Sequence, residues 1–263
     1  MQVKKELIIL ATVISSIFSY SAKAEDIVRI CHGSGGYPPY HFYPQGVNEG
    51  KMSGLTIDVL KPLFEVLDMP YDVNPIPWKR CYKHTLSGQG FDIIADGSYN
   101  LERANLFYYS TPLYTLTPTL FTKIDETKQA RPITKPEQLK KLQLCANRGT
   151  NLMGYGVVKS DISNETSSIR NGLEMLDKGR CEGFLSLQEI VSGHYYMDKG
   201  NSLPSGISAS PITYAKAWTM HLIISRHAKN AKDLTFRINQ EILRLQHNGV
   251  IDKIAQKYAT EAR

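Results

Sequence analysis

The sequence lacks two patterns that would each indicate a particular class of protein. It contains no run of five like charges, so the formal net charge of +6 is spread along the chain. Nucleic-acid-binding proteins usually concentrate basic residues in one patch, whereas a dispersed excess is typical of a solvated surface. The four cysteines show no C-x-x-C spacing and the seven histidines no H-x-x-x-H spacing, so a zinc site is not indicated. We therefore expect no nucleic-acid partner, no metal and no cofactor.

Long apolar runs are also missing, apart from one near the N-terminus. Lys4 and Lys5 precede a mostly apolar stretch over 7–18, and the Ala-Lys-Ala sequence at 22–24 fits a small-x-small cleavage site. The stretch is too short for a comfortable bilayer span, and no stop-transfer pattern follows it. We predict a cleaved signal peptide over residues 1–24 and export to the periplasm. An uncleaved membrane anchor is the alternative interpretation.

Cysteine is scarce, but its even count is informative in an exported chain. An even number of cysteines behind an export signal favours disulfides, and Cys31, Cys81, Cys145 and Cys181 allow three pairings. Cys31 ends a predicted strand and Cys81 lies in the first turn of a predicted helix, and such ends meet at one edge of a parallel sheet. Cys145 and Cys181 lie in or beside two later strands. We favour Cys31–Cys81 with Cys145–Cys181, while the sequence leaves the other pairings open.

Predicted strands and helices alternate along the chain, which favours an α/β protein with a largely parallel sheet covered by helices. Thr56 is expected to cap the first helix and Pro62 to kink it, whereas Ser168 is expected to cap a later helix that ends at Gly179. Pro118 interrupts one of the strands. The predicted strands cover 27–31, 71–76, 91–95, 116–122, 142–146, 182–187 and 217–225.

An ordered series of short segments covers most of the chain. It consists of YPPY at 37–40, GLTIDVL at 54–60, PWKRC at 77–81, FDIIADG at 91–97, SYNLERA at 98–104, YSTPLY at 109–114 and NGVIDKIAQKY at 248–258. No single segment is specific, but the series resembles the family 3 bacterial extracellular solute-binding proteins. These are periplasmic receptors that deliver amino acids and similar small molecules to ABC importers.

This resemblance implies both a fold and a function. The implied fold is α/β, the two-lobed type II periplasmic-binding-protein fold with a hinged cleft between the lobes. By resemblance, lobe 1 covers 25–115 together with 216–263, and lobe 2 covers 116–215. The implied function is that of a monomeric binding protein, not an enzyme, that captures a small carboxylate-bearing ligand and docks on an inner-membrane ABC permease.

Two other functions fit the same fold, because fold alone does not fix function. The first is an enzyme that dehydrates a cyclic carboxylic acid, with Asp96 or Glu189 as its general acid or base. The second is the ligand-sensing subunit of a membrane signalling system.

Arg103 is the first candidate ligand-binding residue. A guanidinium can hold a carboxylate with two parallel hydrogen bonds. In the family, an Arg that follows a Ser or Thr by five positions holds the ligand carboxylate, and Ser98 and Arg103 have this spacing. From composition alone, a solvated surface Arg is the expected alternative.

The other candidates come from loops that follow strands. Thr150 in the Arg148-Gly149-Thr150 turn precedes a predicted helix, whose free N–H groups would attract an anion, and by resemblance it binds the ligand carboxylate from lobe 2. Tyr37 and Trp78 match positions where the family stacks a ligand side chain. The alternatives are a simple helix cap for Thr150 and core packing for Trp78, and Tyr40 is expected to pack.

The sequence departs from family members that bind α-amino acids. Those members place an Asp near the end of a lobe-2 strand, where it pairs with the ligand ammonium, and Leu187 stands at that position here. Glu189 would substitute only if the register shifted by two residues. Asp96 stands where a small polar residue is usual. We therefore expect either a carboxylate without an α-amine or an amine held by Asp96.

Overall fold

The computed structural model describes residues 27–44, 52–124, 132–198 and 204–261. The predicted signal peptide, 1–24, lies outside the described residues. The strands are β1 (Val28–Gly33), β2 (Tyr71–Ile76), β3 (Ile93–Ser98), β4 (Phe107–Tyr109), β5 (Tyr114–Leu116), β6 (Pro118–Lys123), β7 (Leu144–Asn147), β8 (Ile162–Thr166), β9 (Gly183–Leu187), β10 (Ile207–Pro211) and β11 (Trp218–Ser225). The α-helices are α1 (Leu55–Leu67), α2 (Trp78–Leu86), α3 (Leu101–Leu106), α4 (Pro136–Leu139), α5 (Ile169–Asp177), α6 (Gln188–Asp198), α7 (Ala231–His247) and α8 (Val250–Glu261).

The strands form two separate sheets. The first has the order β2-β1-β3-β11-β4, with β5 also paired to β11, and the second has the order β10-β6-β9-β7-β8. In each sheet three strands at one end are parallel, β2-β1-β3 in the first and β9-β7-β8 in the second, and the remaining pairs are antiparallel, so the sheets are mixed rather than largely parallel. The chain builds β1 to β5 in the first sheet, then the whole second sheet, and returns to the first as β11.

Helix α1 shows how the sequence pattern produces the packing. Val59, Leu60, Leu63 and Phe64 are almost completely buried, and their spacing places them on one face of the helix. This face packs against α7 and α8, and the helix continues through Pro62. Burial of each such side chain contributes about 1.5–3 kcal/mol relative to an exposed position.

Several sequence predictions need correction. Thr56 does not cap α1, because Gly54 occupies the cap position and the buried Thr56 hydroxyl donates instead to Asp96, at 2.5 Å. The predicted strand 116–122 is two strands in different sheets, β5 and β6, divided at Thr117. Helix α6 was not predicted at all. Ser168, in contrast, caps α5 as expected, with its Oγ accepting from the backbone N of Asn171 at 3.2 Å.

Each sheet carries one disulfide beside it. Cys31 in β1 is bonded to Cys81 in α2, and Cys145 in β7 is bonded to Cys181, which lies just before β9. Both bonds are buried. The preferred pairing is therefore confirmed. Cys31 and Cys81 meet where a strand and the start of a helix lie together, whereas Cys145 and Cys181 meet because β7 and β9 are neighbouring parallel strands. In the part of the chain that the structure describes, no helix is long and apolar enough to cross a membrane.

Candidate ligand-binding site

A cavity of about 520 Å³ lies between the two sheets. This volume is within the range of about 300–1,000 Å³ that is usual for small-molecule sites. Most lining residues end or directly follow a strand, which is where α/β proteins place their ligands. The lining comes from both sheets, mainly from segments 33–37, 77–79, 147–151, 167–169 and 185–187.

Arg103 reaches this cavity from helix α3. The helix begins after Asn100, whose side-chain Oδ1 accepts a hydrogen bond from the backbone N of Arg103 at 3.1 Å. Its guanidinium carbon lies 5.7 Å from the ring centre of Trp78 and 5.8 Å from that of Tyr82. The two aromatic rings hold the cationic group by its faces, which leaves the N–H groups at its edge available.

The hydrogen bonds that Arg103 makes are long and go to uncharged acceptors. Its Nη1 donates to Ser98 Oγ at 3.4 Å and its Nη2 to the carbonyl oxygen of Gly149 at 3.3 Å. Ordinary N–H···O bonds are about 2.9–3.0 Å. Among the described residues, no carboxylate forms an ion pair with Arg103. The guanidinium charge therefore faces the cavity without an anionic partner.

The Arg148-Gly149-Thr150 turn forms the opposite wall. Gly149 has a φ of 84°, and a side chain there would meet Cδ1 of Trp78 at 2.8 Å, so the close approach of the turn to Trp78 requires glycine. The expected α-helix does not follow Thr150. A short 3₁₀ helix, Leu152–Tyr155, follows Asn151 instead. Thr150 lines the cavity, but its position is not an α-helix N-terminus.

The two walls touch each other at one side of the cavity. The Asn100 side-chain amide donates to Asn151 Oδ1 at 3.0 Å, and the Asn151 amide donates to the carbonyl oxygen of Tyr99 at 3.1 Å. Together with the contact between Arg103 and Gly149, these bonds hold the strand ends of the two sheets together over the cavity.

Asp96 lies in the cavity wall at the end of β3 and is 6% exposed. Its Oδ2 lies 2.5 Å from His41 Nδ1, and its Oδ1 accepts from the hydroxyls of Thr56 and Tyr114, each at 2.5 Å. Burial alone raises the pKa of Asp96, but these hydrogen bonds and the charge of His41 outweigh burial, so the pKa lies below its ordinary value. Asp96 is therefore an ionised carboxylate with both oxygens occupied by protein donors.

His41 is the ring partner of Asp96. Its Nδ1 faces Asp96 Oδ2, and its Nε2 lies 3.2 Å from the carbonyl oxygen of Gly33, so both ring nitrogens face oxygen atoms. His32 lies next to it, with ring centres 4.1 Å apart. Burial first, and then the charge of His41, lower the pKa of His32 to about 4, so His32 is neutral.

The aromatic candidates differ in their surroundings. Trp78 is partly exposed at the start of α2, where it lines the cavity beneath Arg103. Tyr37 also lines the cavity and stacks on His41 at 5.6 Å, and burial raises the pKa of its hydroxyl. Tyr40 is buried and stacks on Tyr114 at 3.9 Å. The expectation that Tyr40 packs is confirmed.

Leu187 and Glu189 differ in their position relative to the cavity. Leu187 lines the cavity at the end of β9. Glu189 is in the first turn of α6 and is not part of the lining, because its carboxylate binds the backbone N of Thr117 at 2.9 Å and the hydroxyl of Thr117 at 2.7 Å. The structure thus brings together all six predicted site residues, namely Tyr37, Trp78, Asp96, Ser98, Arg103 and Thr150.

Sequence reasoning missed other residues of the site. Lys79, Arg148 and Trp218 also line the cavity, and His41 binds the carboxylate of Asp96. Lys79 and Arg148 could have been found from the sequence, because each is a basic residue in or beside a candidate loop. The role of His41 had no sequence signal, because it lies 55 residues before its partner Asp96.

Residues 30–261 match the family described as bacterial extracellular solute-binding proteins, family 3. The match covers most of the chain, so the protein belongs to this family. Members of the family are binding proteins that work outside the cytoplasm. No curated protein shows significant sequence similarity to the chain.

Solved structures share the fold at low sequence identity. An ancestral arginine-binding protein bound to glutamine is 17% identical, with a TM-score of 0.70 over 88% of this chain and 97% of that one. A histidine kinase sensor domain with similarity to periplasmic binding proteins is 18% identical, with a TM-score of 0.72 over 89% and 96%. A substrate-binding protein of an ABC uptake transporter from Streptococcus pneumoniae, with bound histidine, is 19% identical, with a TM-score of 0.68 over 88% and 91%. These similarities establish the type II periplasmic-binding-protein fold.

Proposed function

We propose that the protein captures a small carboxylate-bearing molecule between its lobes, after export by a cleaved signal peptide, and delivers it to an inner-membrane ABC permease. The observation that carries the proposal is the unpaired guanidinium of Arg103 in the wall of a cavity of ligand size. A carboxylate there would replace two long hydrogen bonds to neutral acceptors with two short ones to an anionic acceptor.

The proposal takes the lobes as 25–115 with 216–263, and 116–215. The order in which the chain builds the two sheets supports this division. Arg103 and Ser98 would hold the ligand from lobe 1 and Thr150 from lobe 2, with Trp78 and Tyr37 against the ligand body. Because both lobes contact the ligand, its binding would favour the closed arrangement of the hinge.

Asp96 takes a different role in this proposal. Its carboxylate is bound by His41, Thr56 and Tyr114, so it would shape the floor of the site and not hold a ligand amine. The same bonds argue against Asp96 as a general acid, since its ionised form is stabilised, and against it as a general base, since both of its oxygens are occupied by protein donors. We propose that the protein is not an enzyme.

A ligand screen tests the proposal. Thermal unfolding of the mature protein would be followed with amino acids, organic acids, sugars and polyamines. A ligand at about 100 times its Kd adds about 2.7 kcal/mol of stability, which corresponds to an increase in Tm of roughly 5–10 °C for a chain of this size. We expect dose-dependent shifts for carboxylates. A response to sugars or polyamines alone would contradict the proposal.

Sensing is the second candidate function, and the similarity to a histidine kinase sensor domain supports it. Uptake of a labelled ligand by cells that lack the protein separates the two functions. Transport predicts that uptake falls, whereas sensing predicts unchanged uptake and a lost transcriptional response. Loss of the ligand from solution as a new product would instead indicate an enzyme.

A further inference from the structure

The charges around the cavity are strongly unbalanced. Three basic residues, Lys79, Arg103 and Arg148, are part of its lining, and Lys79 and Arg148 also interact with Glu165, which lies outside that lining. Among the described residues, Asp96 is the one acidic side chain in the lining. A ligand that enters this cavity therefore meets a positive potential, which attracts anions and repels ammonium groups.

The charge of Asp96 is not available to balance this potential. Both carboxylate oxygens are occupied by the side chains of His41, Thr56 and Tyr114 within the wall. A ligand amine could reach Asp96 only by displacing a buried, charge-assisted hydrogen bond. Such a bond is among the strong ones in proteins.

The neighbouring carboxylate, Glu189, is also engaged. It binds the backbone and the hydroxyl of Thr117 and lies outside the lining. On the same side of the cavity, the wall consists of apolar and aromatic groups from Leu185, Leu187, Tyr155 and Trp218. The Tyr155 hydroxyl already donates to the carbonyl oxygen of Ser186 at 2.8 Å. An ammonium placed there would lose water and gain no carboxylate.

We infer that the ligand is a small organic acid that carries no ammonium or other cationic group. Its carboxylate lies on Arg103, and its uncharged body lies against the apolar wall around Leu187. The inference rests on the proposed function and narrows it, since it excludes the zwitterionic amino acids.

Matched pairs of ligands test this inference directly. Calorimetry with the mature protein would compare glutarate with L-glutamate, 4-carbamoylbutanoate with L-glutamine, and 3-phenylpropanoate with L-phenylalanine. The two members of each pair differ only by the α-ammonium. We expect the acid without the amine to bind at least about tenfold more tightly in every pair that binds, because an unpaired buried charge weakens binding by at least this factor.

Substitutions of Leu187 provide a second test of the preference for amine-free acids. Leu187→Asp adds a carboxylate to the apolar wall, and we expect it to reduce the preference for the amine-free acid by about tenfold or more. Leu187→Asn has the same shape without the charge, and the preference should remain. Circular dichroism would establish that each variant is folded. If Leu187→Asp is not folded, the ligand pairs measured with the wild-type protein decide the question.

The outcomes separate the inference from the proposed function. A preference under tenfold, or a preference for the amine-bearing member, overturns the inference and leaves the carboxylate-binding function standing. Absence of binding by all six compounds overturns both. A folded Leu187→Asp protein with the wild-type preference also overturns the inference, since the charge balance of the wall would then not select the ligand.

Discussion

The two walls of the cavity differ in the chemical groups that they present. The wall from the first sheet is polar and internally bonded, with Asp96 fixed by His41, Thr56 and Tyr114 and with Arg103 held between aromatic rings. The wall from the second sheet consists of the turn at 147–151 and the apolar end of β9. The first wall supplies Arg103, Lys79 and the bound carboxylate of Asp96, and the second supplies Arg148, backbone groups and the apolar end of β9. In the proposed function, the first wall would hold the ligand carboxylate and the second would contact the uncharged body of the ligand.

The largest expected effect is at Asp96, and it tests whether the polar wall is a rigid scaffold. Asp96→Asn keeps the size of the side chain but removes the buried carboxylate that His41, Thr56 and Tyr114 bind. Loss of one partner of a buried ion pair costs about 3–5 kcal/mol, measured by urea unfolding. Asp92→Asn is the matched control, because Asp92 lies just before the same strand and pairs with Arg29 at the surface. That change should cost at most about 1 kcal/mol. Equal losses in the two variants would contradict the account.

We expect the two disulfides to contribute almost equally to the free energy of unfolding. Each closes a loop of similar length, with a sequence separation of 50 for Cys31–Cys81 and of 36 for Cys145–Cys181. Since loop length enters only logarithmically, replacing either pair by two alanines should cost about 2–4 kcal/mol. Urea unfolding of the two double variants measures this. A difference above about 2 kcal/mol would show that one sheet depends on its disulfide far more than the other.

A smaller effect is expected from His32 as the pH falls. Its pKa is lowered to about 4 in the folded protein, and an unfolded His titrates near 6.5. Between these values the unfolded chain binds a proton that the folded protein does not. Stability is therefore fully present above about pH 6.5 and is lost as the pH falls towards 4, by up to about 1.4 kcal/mol per pH unit.

We expect the wild type to lose about 2 kcal/mol more between pH 7 and pH 5 than His32→Asn does. The exposed His247, replaced in the same way, is the control and should keep the wild-type slope. An identical slope in all three proteins would show that His32 is protonated in the folded state.

The sequence predicted the peripheral parts of the fold better than the centre of the site. The bounds of β2 agree with the prediction, and α5 is capped by Ser168, because local spacing and capping decide such elements. Arg103 and Ser98 were found because their spacing is a family pattern.

The partners of Asp96 could not have been found in this way. His41, Thr56 and Tyr114 lie 55, 40 and 18 residues from Asp96 in the chain, and only the packing of β3 against α1 and the loops brings them together. The error at Thr56 has the same origin, since a tertiary hydrogen bond outweighed the local capping preference.

The central claim is that Arg103 holds a ligand carboxylate, and calorimetry of Arg103→Ala tests it most directly. Arg226→Ala is the matched control, because Arg226 also contacts an aromatic ring, Tyr108, and one carbonyl oxygen, that of Ala104, but lies outside the cavity lining. We predict that Arg103→Ala weakens binding of the best carboxylate by about thirtyfold to several thousandfold with little change in the apo Tm, and that Arg103→Lys does not restore it. Arg226→Ala should bind as the wild type does. Binding of Arg103→Ala within about threefold of the wild type, well below the loss expected for a desolvated charge pair, would contradict the account.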